Sequence, residues 1–289
     1  MDTAFWILLS ILFSDIITVD ISVIIPTYQP ADYIWQCLDS LNRQSLDHSC
    51  YEVIIILNGK KEPYYNQINH YISQNAQTSF RLIYTDISGV SNARNTGMEA
   101  SNGDFICFLD DDDWVSDNYL EELLKVSTYK GVVISNVRLY IERNACYADS
   151  YMTKAFAKNK ERKQITILST RSLCNSACIK IIPKTIIGNS RFNPRFKISE
   201  DVLFMATISS NIKEIRLSSP EAIYFRRVRN GSATYTKQTT KSLVLNNLRL
   251  IRELIRIFFS QPRKNYNISF FLLQGMGLFK NIIRIIKGA

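Results

Sequence analysis

The sequence FICFLDDDDW, residues 105–114, joins five consecutive apolar residues to four consecutive aspartates. The apolar part is typical of a strand buried on both faces, because it offers no polar side to solvent. Four carboxylates at the end of such a strand repel one another and lose hydration, so their ionised forms are costly. A divalent cation would offset that cost, and carboxylate oxygens suit Mg²⁺, Mn²⁺ or Ca²⁺. The alternative is an acidic turn that caps the next helix.

Strand-like and helix-like segments alternate through the first half of the chain. Apolar runs predict strands at 21–26, 53–57, 81–84, 105–109 and 131–136. Helical periodicity predicts helices at 31–43, 64–74, 90–100 and 116–128. The alternation predicts an α/β fold with a mostly parallel, doubly wound sheet flanked by helices. Such sheets bind ligands at the carboxyl ends of their strands, where the chain has Thr27, Asn58, Asp86 and Asp110–Asp113.

A second acidic pair lies in the segment RFNPRFKISEDVLF, residues 191–204. Ser199 is the predicted N-cap of a helix whose first turn holds Glu200 and Asp201. A role at the start of a helix explains the presence of one of these carboxylates better than the presence of both. Ser116 or Asp117 is the predicted cap of the helix near 116–128. The polar, lysine-rich residues 150–165 are predicted to form a solvated insertion, with a mobile loop near a substrate as the alternative.

Several motifs follow one another in a recognisable order. The chain has SNARNTG at 91–97, then Ala100 with Gly103-Asp104-Phe105, then FLDDDDW at 108–114. Together they resemble family 2 glycosyltransferases of the GT-A fold, whose loose pattern is ARN-x-G, A-x-G and F-L-D-x-D-D. The A-x-G step is stretched here. With the later motifs, the resemblance covers about 22–232 and implies a Rossmann-like, mostly parallel sheet flanked by helices.

The resemblance assigns roles to the acidic residues. Asp110, Asp111 and Asp112 correspond to the D-x-D motif, which in the family holds a metal and the sugar nucleotide, and Asp112 is the implied metal ligand. Asp201 corresponds to the catalytic base of the family. Glu200, Asp113 and Trp114 are assigned supporting roles.

Other motifs are predicted to bind the donor. In the family, the turn after the first strand contacts the nucleotide, and a Y-R-x-x-x-G-S segment, here 224–232, closes over the diphosphate. Asn58 stands where the family usually has an aspartate that contacts uracil, and its amide can donate and accept. Arg94 can bind a diphosphate bidentately, the alternative being a helix-surface ion pair. The predicted donor set is Pro26, Thr27, Tyr28, Asn58, Asp86, Arg94, Asp110, Asp111, Arg229 and Ser232.

The implied reaction is an inverting glycosyl transfer that depends on Mn²⁺ or Mg²⁺. A hexose or N-acetylhexosamine would move from a nucleotide sugar, a UDP-sugar by resemblance, to a saccharide or lipid-linked saccharide acceptor in bacterial polysaccharide assembly. A carboxylate base suits this chain because His48 and His70, its two histidines, lie outside every motif. Two alternatives remain open: a metal-dependent nucleotidyltransferase, and a non-catalytic sugar-nucleotide-binding protein of the same fold.

Positive charge is concentrated late in the chain. The formal net charge is +9, and residues 241–289 hold nine basic residues against Glu253 alone, a net of +8. A nucleic-acid-binding domain usually carries its charge on the folded core, so nucleic acid is not an expected partner. Two basic amphipathic segments here predict binding to an anionic membrane surface. The alternative is that their apolar faces pack on the catalytic domain.

The expected organisation has three parts: an apolar extension at 1–20, a GT-A domain at 21–240 and the basic amphipathic helical tail at 241–289. The apolar run 4–13 has no positive flank and is too short to span a bilayer, so a cleaved signal peptide is not expected. An interfacial helix and a non-native extension are both compatible with it. Six cysteines without a C-x-x-C suit a reducing cytoplasm. The predicted location is peripheral, on the cytoplasmic face of the cell membrane.

Overall fold

The computed structural model describes residues 19–75, 77–229, 239–260 and 266–286. Residues 1–18 and Ser232, which enter the sequence predictions, lie outside these ranges. The strands are β1 (Ile21–Thr27), β2 (Tyr51–Asn58), β3 (Ser79–Thr85), β4 (Phe105–Phe108), β5 (Trp114–Val115), β6 (Gly131–Ile134), β7 (Asn136–Ile141), β8 (Cys146–Ala148), β9 (Lys180–Pro183), β10 (Glu214–Leu217) and β11 (Ile223–Val228). The α-helices are α1 (Tyr33–Asn42), α2 (Tyr64–Gln74), α3 (Val90–Ala100), α4 (Tyr119–Lys125), α5 (Tyr151–Lys160), α6 (Lys184–Ile187), α7 (Glu200–Ile208), α8 (Thr240–Ser260) and α9 (Ile268–Ile286).

A seven-stranded sheet forms the centre of the described structure, in the order β10-β6-β9-β4-β1-β2-β3. Its neighbours run parallel except for β9, which is antiparallel to both β4 and β6. Strands β1 and β2 are buried along their whole lengths. Burial on both faces is why they form continuous apolar runs in the sequence. The predicted α/β architecture with a mostly parallel sheet is confirmed.

Helix α3 packs tightly on β1 because of a glycine in the SNARNTG motif. A Cβ at Gly97 would lie only 2.3 Å from Cγ2 of Ile24, and a Cβ at Gly103 would lie 2.6 Å from the backbone nitrogen of Ser22. Any larger residue would therefore push the helix or the following turn away from the strand. These glycines bring the start of α3 and the end of β4 to the same edge of the sheet.

A smaller sheet, in the order β5-β11-β7-β8, lies beside the aspartate run. Trp114 stacks on Phe225, with ring centroids 5.4 Å apart and planes 16° apart. Trp114 also meets Tyr140 edge-on at 5.2 Å. This aromatic cluster fixes β11 against the end of the aspartate run, so that the arginines in and after β11 reach the acidic side chains.

The prediction of a solvated insertion at 150–165 is wrong for the first part of this segment, which forms helix α5. Ser150 caps α5 by accepting from the backbone amides of Met152 and Thr153, and the Thr153 side chain bonds back to the Ser150 amide. Met152 and Phe156, one helical turn apart, are buried in the core. Two apolar residues among many polar ones give a weak periodic signal, which is why the sequence pattern predicts a loop.

Two predicted helix caps are also wrong. Ser199 has a φ of 62° and its side chain makes no capping hydrogen bond, because a capping residue needs an extended rather than a left-handed backbone. Helix α4 runs from Tyr119 to Lys125. It begins later and ends earlier than the helix predicted at 116–128. Neither Ser116 nor Asp117 is its N-cap residue; that position is Asn118, without a side-chain cap bond.

Helices α8 and α9 of the tail pack against each other and against the catalytic part of the chain. Leu250, Leu254, Ile257, Phe270 and Phe271 are buried and belong to the same hydrophobic core as the central sheet. Helix α8 contacts α7, which begins with the second acidic pair. One face of the tail is therefore packed core, as one of the two sequence interpretations expects.

Candidate functional site

Arg94 joins the two acidic motifs. Its Nη1 donates to Oδ1 of Asp201 at 2.7 Å and to Oε1 of Glu200 at 2.9 Å, and its Nη2 donates to Oδ1 of Asp110 at 2.9 Å. The Arg94 side chain is only 3% exposed. The planar guanidinium can serve several carboxylates at once, which a lysine cannot do in the same geometry. Arg94 therefore forms a buried link between the two acidic motifs and not a surface ion pair, and its contact with a diphosphate stays a prediction.

The two members of the second acidic pair have different environments. The Asp201 side chain is 19% exposed and that of Glu200 is 10% exposed. Oδ2 of Asp201 accepts from the backbone N–H of Ala177 at 3.1 Å. Burial, and then the charge of Asp201, raise the pKa of Glu200 to about 7, with Arg94 acting in the opposite direction. Glu200 therefore binds its proton more tightly than an ordinary glutamate does.

Asp112 is held by two arginines from β11 and its end. Its Oδ2 accepts from Nε of Arg229 at 3.0 Å, and its backbone carbonyl accepts from Nε of Arg227 at 2.9 Å. The Arg229 guanidinium also lies 4.4 Å from the ring centroid of Tyr33. Burial, and then the charge of Asp110, raise the pKa of Asp112, which Arg229 opposes.

Asp113 has a structural position. It is 4% exposed, and its carboxylate accepts from the hydroxyl of Tyr224 and from the backbone N–H of Arg227, each at 2.7 Å. The Tyr224 hydroxyl in turn accepts from the backbone N–H of Asp110 at 3.2 Å. Sequence reasoning assigns neither Tyr224 nor Arg227 to the site. Their only signal is that they lie in the segment resembling Y-R-x-x-x-G-S.

Asp111 is a further buried carboxyl group of the run. Burial, followed by the charges of Asp112 and Asp110, raises the pKa of Asp111 well above its ordinary value. Arg229 and the backbone of Tyr28 act in the opposite direction without cancelling the effect. The turn after β4 therefore has a deficit of positive charge.

The first-strand turn predicted to meet the nucleotide is partly buried. Pro26 and Thr27 are buried within β1, whereas Tyr28 is 54% exposed. A Cβ at Gly59 would lie 2.6 Å from Cε2 of Tyr28, so the tyrosine ring rests directly on that glycine. Asp86 lies exposed in the turn that follows β3. Tyr28 and Asp86 therefore offer accessible side chains at the ends of β1 and β3, the two strands that flank β2.

Asn58 and Trp114 have contacts within the protein. The Asn58 amide nitrogen donates to the carbonyl of Thr27 at 2.7 Å, and its oxygen accepts from the N–H of Gly89 at 2.9 Å. Each end of the amide makes one hydrogen bond, and Asn58 ties together β1, β2 and the turn before α3. Trp114 is 5% exposed, and the Arg227 guanidinium lies 4.9 Å from its ring centroid.

Lys180 is a fully buried cation beneath the second acidic pair that sequence reasoning does not assign. Its ammonium donates to the carbonyls of Leu173 at 3.1 Å and Cys178 at 2.8 Å, and also to the carbonyl of Ser176. Burial lowers the pKa of Lys180 from its ordinary value. Its sequence signal is slight, since one lysine precedes the apolar residues of β9.

An open cavity of about 490 Å³ lies next to Asp112. Its lining residues come from the start of α1, the end of β7 and the end of β11: Ala31, Asp32, Tyr33, Gln36, Glu142, Arg227 and Arg229. Because Arg229 touches both this cavity and Asp112, a ligand entering the cavity would meet the D-x-D turn.

The chain matches a family model described as glycosyl transferase family 2 over residues 22–186, more than half of its length. The chain belongs to glycosyltransferase family 2. The matched segment contains Arg94 and the D-x-D motif but ends before Glu200, Asp201 and Arg229. In the folded structure, Glu200 and Asp201 contact Arg94, and Arg229 contacts Asp112.

Two family relatives have similar sequences. TarS of Staphylococcus aureus strain MW2, a poly(ribitol-phosphate) β-N-acetylglucosaminyltransferase, is 24% identical over 261 residues, which are 87% of this chain and 43% of TarS. The EpsH protein of Bacillus subtilis strain 168 is 28% identical over 174 residues, 60% of this chain and 49% of EpsH. The chain spans about half the length of these curated relatives or less.

Solved structures confirm the GT-A fold. The crystal structure of S. aureus TarS residues 1–349 with UDP-GlcNAc has a TM-score of 0.66 at 19% identity, covering 92% of this chain and 81% of that chain. The mannosyltransferase PcManGT of Pyrobaculum calidifontis, in complex with GDP-Man and Mn²⁺, has a TM-score of 0.58 at 13% identity, covering 92% of this chain and 68% of that one.

The D-x-D donor set of this family 2 chain fits a divalent metal. Within the described ranges, no three acidic, histidine or cysteine side chains converge into a complete metal cage. Mg²⁺, however, is usually held by one or two carboxylates together with substrate phosphates and waters. Burial, and then the neighbouring carboxylates, raise the pKa of Asp111 and of Asp112, and a bound cation would favour their ionised forms. A metal that shares its ligands with a bound diphosphate is compatible with these residues.

The raised pKa of Glu200 predicts a pH-dependent stability. The folded state holds the Glu200 proton to about pH 7, whereas the unfolded state releases it near pH 4.5, so stability falls as pH rises between these values. Glu200→Gln should remove this part of the decline, gaining up to about 3 kcal/mol at pH 7 relative to pH 4.5. Urea unfolding across this pH range measures it. The exposed control Glu99→Gln should follow the wild type, and parallel curves for Glu200→Gln and wild type would contradict the assignment.

Proposed function

We propose that this protein is an inverting glycosyltransferase that moves a hexose or N-acetylhexosamine from a UDP-sugar to a saccharide acceptor. Membership of glycosyltransferase family 2 supports glycosyl transfer as the reaction class. The observation that carries the finer proposal is the contact of Arg94 with Asp110 on one side and with Glu200 and Asp201 on the other. It brings a candidate base next to the candidate donor site.

Asp201 is the proposed catalytic base. Hydrogen bonds from Arg94 and from the Ala177 amide orient its carboxylate, and it is more accessible than Glu200. As the acceptor hydroxyl attacks the anomeric carbon, its proton passes to Asp201 while the bond to the UDP leaving group breaks. Attack from the face opposite UDP inverts the anomeric centre. Glu200 suits the role less well because it is more buried and because its pKa is raised.

Asp110, Asp111 and Asp112 are proposed to bind the donor diphosphate, with Asp112 as the protein ligand of Mn²⁺ or Mg²⁺. The bound ion would supply positive charge for the departing diphosphate. Arg229 lies directly on Asp112 and adds a fixed cation at the same place. A closer contact between the Arg229 guanidinium and the diphosphate would compensate the negative charge that develops on the leaving group.

The nucleotide base is proposed to meet Tyr28 and Asp86. The exposed ring of Tyr28 can stack on a base, and the Asp86 carboxylate can accept from a base N–H. Asn58 keeps Gly89 and Thr27 in position instead. UDP is the proposed nucleotide because the crystal structures of TarS, which share this fold, contain UDP or UDP-GlcNAc.

The tail is proposed to bind an anionic membrane surface and so bring the site to a lipid-linked saccharide. Its apolar residues on the outer face are exposed: Leu245, Leu248, Ile255, Phe259, Ile268, Leu272, Leu273, Met276, Phe279, Ile283 and Ile286. Exposed basic residues lie among them: Arg249, Arg252, Arg256, Lys280 and Arg284. Each basic residue near such a surface contributes about 1 kcal/mol. The exposed face of the tail supports the membrane-binding interpretation, and the buried face supports the core-packing interpretation.

Helix α9 is the one helix in the described residues that is long and apolar enough to cross a membrane, judged by length and composition. Phe270, Phe271, Gln274 and Ile282 are buried against the rest of the protein, so we propose that α9 lies in the plane of the membrane surface. In this proposal residues 21–240 are the transferase domain, and residues 241–289 attach it peripherally to the cytoplasmic face.

Asp201→Asn should reduce turnover by about 10²–10⁴-fold, because the amide cannot accept the proton. The donor KM should change little, since Asp201 does not belong to the proposed donor site. The measurement is release of nucleoside diphosphate from a panel of sugar nucleotides in the presence of saccharide acceptors. Asp47→Asn, an exposed aspartate at a turn before β2, is the control and should match the wild type.

Other outcomes of the same assay would change the assignment. A larger loss for Glu200→Gln than for Asp201→Asn would reverse the roles of the pair. Release of pyrophosphate from a nucleoside triphosphate would identify a nucleotidyltransferase. Binding of sugar nucleotides without any turnover would identify a non-catalytic protein.

Metal dependence is tested at Asp112. A chelator should abolish transfer by wild-type protein, and added Mn²⁺ or Mg²⁺ should restore it. Asp112→Ala should lose transfer without rescue by excess metal, because the protein ligand is missing. Asp117→Ala, at an exposed position just after β5, should keep normal activity. Transfer by chelator-treated wild-type protein at an unchanged rate would refute the metal proposal.

Membrane binding is tested by charge reversal in the tail. Arg249→Glu with Arg252→Glu should weaken sedimentation with phosphatidylglycerol-containing vesicles by about 30-fold or more, because two basic contacts contribute about 2 kcal/mol. Lys125→Glu with Lys158→Glu makes the same change in net charge on the transferase domain and should leave sedimentation near the wild-type level. Equal losses for the two pairs would show that net charge alone, not the tail surface, governs binding.

A further inference from the structure

The carboxylate of Asp201 depends on a loop that precedes β9. Residues 173–178, named here the 173–178 loop, include Ala177, whose N–H donates to Oδ2 of Asp201 at 3.1 Å. The other orienting contact is Arg94, at 2.7 Å on Oδ1. The position of this loop therefore determines one of the two hydrogen bonds that aim the carboxylate. A loop has no ladder of its own to hold it, so its other contacts matter.

Lys180 holds the 173–178 loop from the core side. Its buried ammonium donates to the carbonyls of Leu173, Ser176 and Cys178. These bonds satisfy a charge that would otherwise be costly to bury, and they gather three points of the loop around one cation. The core side of the loop is accordingly fixed from within the transferase domain.

Gln274 of α9 holds the same loop from the outside. Its amide nitrogen donates to Oδ1 of Asn175 at 2.8 Å, and its oxygen accepts from Nη1 of Arg171 at 3.4 Å. Gln274 is 3% exposed, so an unpaired amide there would be costly. Both polar partners of this buried glutamine belong to the loop region.

We propose that Gln274 is a positioning residue for the transfer reaction: through Asn175 it holds the 173–178 loop so that the Ala177 amide orients Asp201. This proposal rests on the assignment of Asp201 as the base. It makes α9 part of the catalytic unit as well as a membrane-binding element. Helix α9 contacts the 173–178 loop with one face and exposes apolar residues on another. A short chain of contacts therefore joins the proposed lipid-binding surface to Asp201, the proposed base.

Gln274→Met tests the proposal while preserving packing, because methionine is also unbranched and of similar length but forms neither hydrogen bond. We expect kcat to fall by about 10-fold with the donor KM unchanged, since displacement of a reacting group by about 1 Å can cost about 10²-fold. The control is Asn281→Ala, which removes an exposed amide from the same helix whose contact is with Asn247 of α8. It should keep the wild-type kcat.

A double-mutant cycle with Asn175→Ala separates a specific contact from general loosening. If Gln274 acts through Asn175, the double variant should lose no more activity than the more impaired single variant. Fully additive losses would overturn the proposed route through Asn175. An unchanged kcat in Gln274→Met would overturn the positioning role itself.

Hydrogen–deuterium exchange at the Ala177 amide gives a second readout that does not depend on turnover. The exchange rate should rise in Gln274→Met and stay at the wild-type value in Asn281→Ala, because the amide is protected by its bond to Asp201. Unchanged exchange in Gln274→Met would refute the contact chain. Faster exchange combined with normal turnover in Asp201→Asn would instead retain the chain of contacts and refute Asp201 as the base.

Discussion

The charge balance around Arg94 is the constraint on which the site depends. A guanidinium that is 3% exposed must be neutralised by partners inside the protein, and here they are Asp110, Glu200 and Asp201. Asp110 follows a central strand, whereas the acidic pair begins a helix much later in the chain. Because all three carboxylates bond to the same cation, the end of β4 and the start of α7 are held at a fixed distance from each other. The remaining excess of negative charge lies on the D-x-D turn, where a positively charged ligand is expected.

Much of this arrangement can be predicted from sequence, because its signals are local. The apolar runs of β1 and β2 and the aspartates after β4 are contiguous, so the sheet and the acidic strand end follow directly. The roles of Arg94 and Asn58 do not follow, because their partners lie up to 107 residues away. Helix α5 is missed since only Met152 and Phe156 mark its buried face. The left-handed backbone of Ser199 has no sequence signature at all, because serine rarely adopts it.

The observed core packing of the tail is compatible with the proposed membrane binding. An amphipathic helix in a hairpin has enough circumference to pack on a domain along one stripe and expose apolar side chains along another. In α8 the packed stripe includes Leu250 and Leu254, and the exposed one includes Leu248 and Ile255. Sequence periodicity reports that both stripes are apolar but not which of them faces protein. The packed stripe also means that removing the tail would uncover core residues of the transferase domain.

The buried ion cluster of Arg94 also limits how the polypeptide can be divided. As the chain leaves the ribosome, β1, β2, α3 and β4 are complete well before Glu200 and Asp201 have been made. Until those two carboxylates arrive, the arginine has Asp110 alone to offset its charge, and burying it is unfavourable by several kcal/mol. We therefore expect this region of the nascent amino-terminal half to stay hydrated until α7 docks. A gene split anywhere between β4 and α7 would place Arg94 on one fragment and Glu200 and Asp201 on the other. The two fragments would then have to associate before the region around Arg94 could be buried.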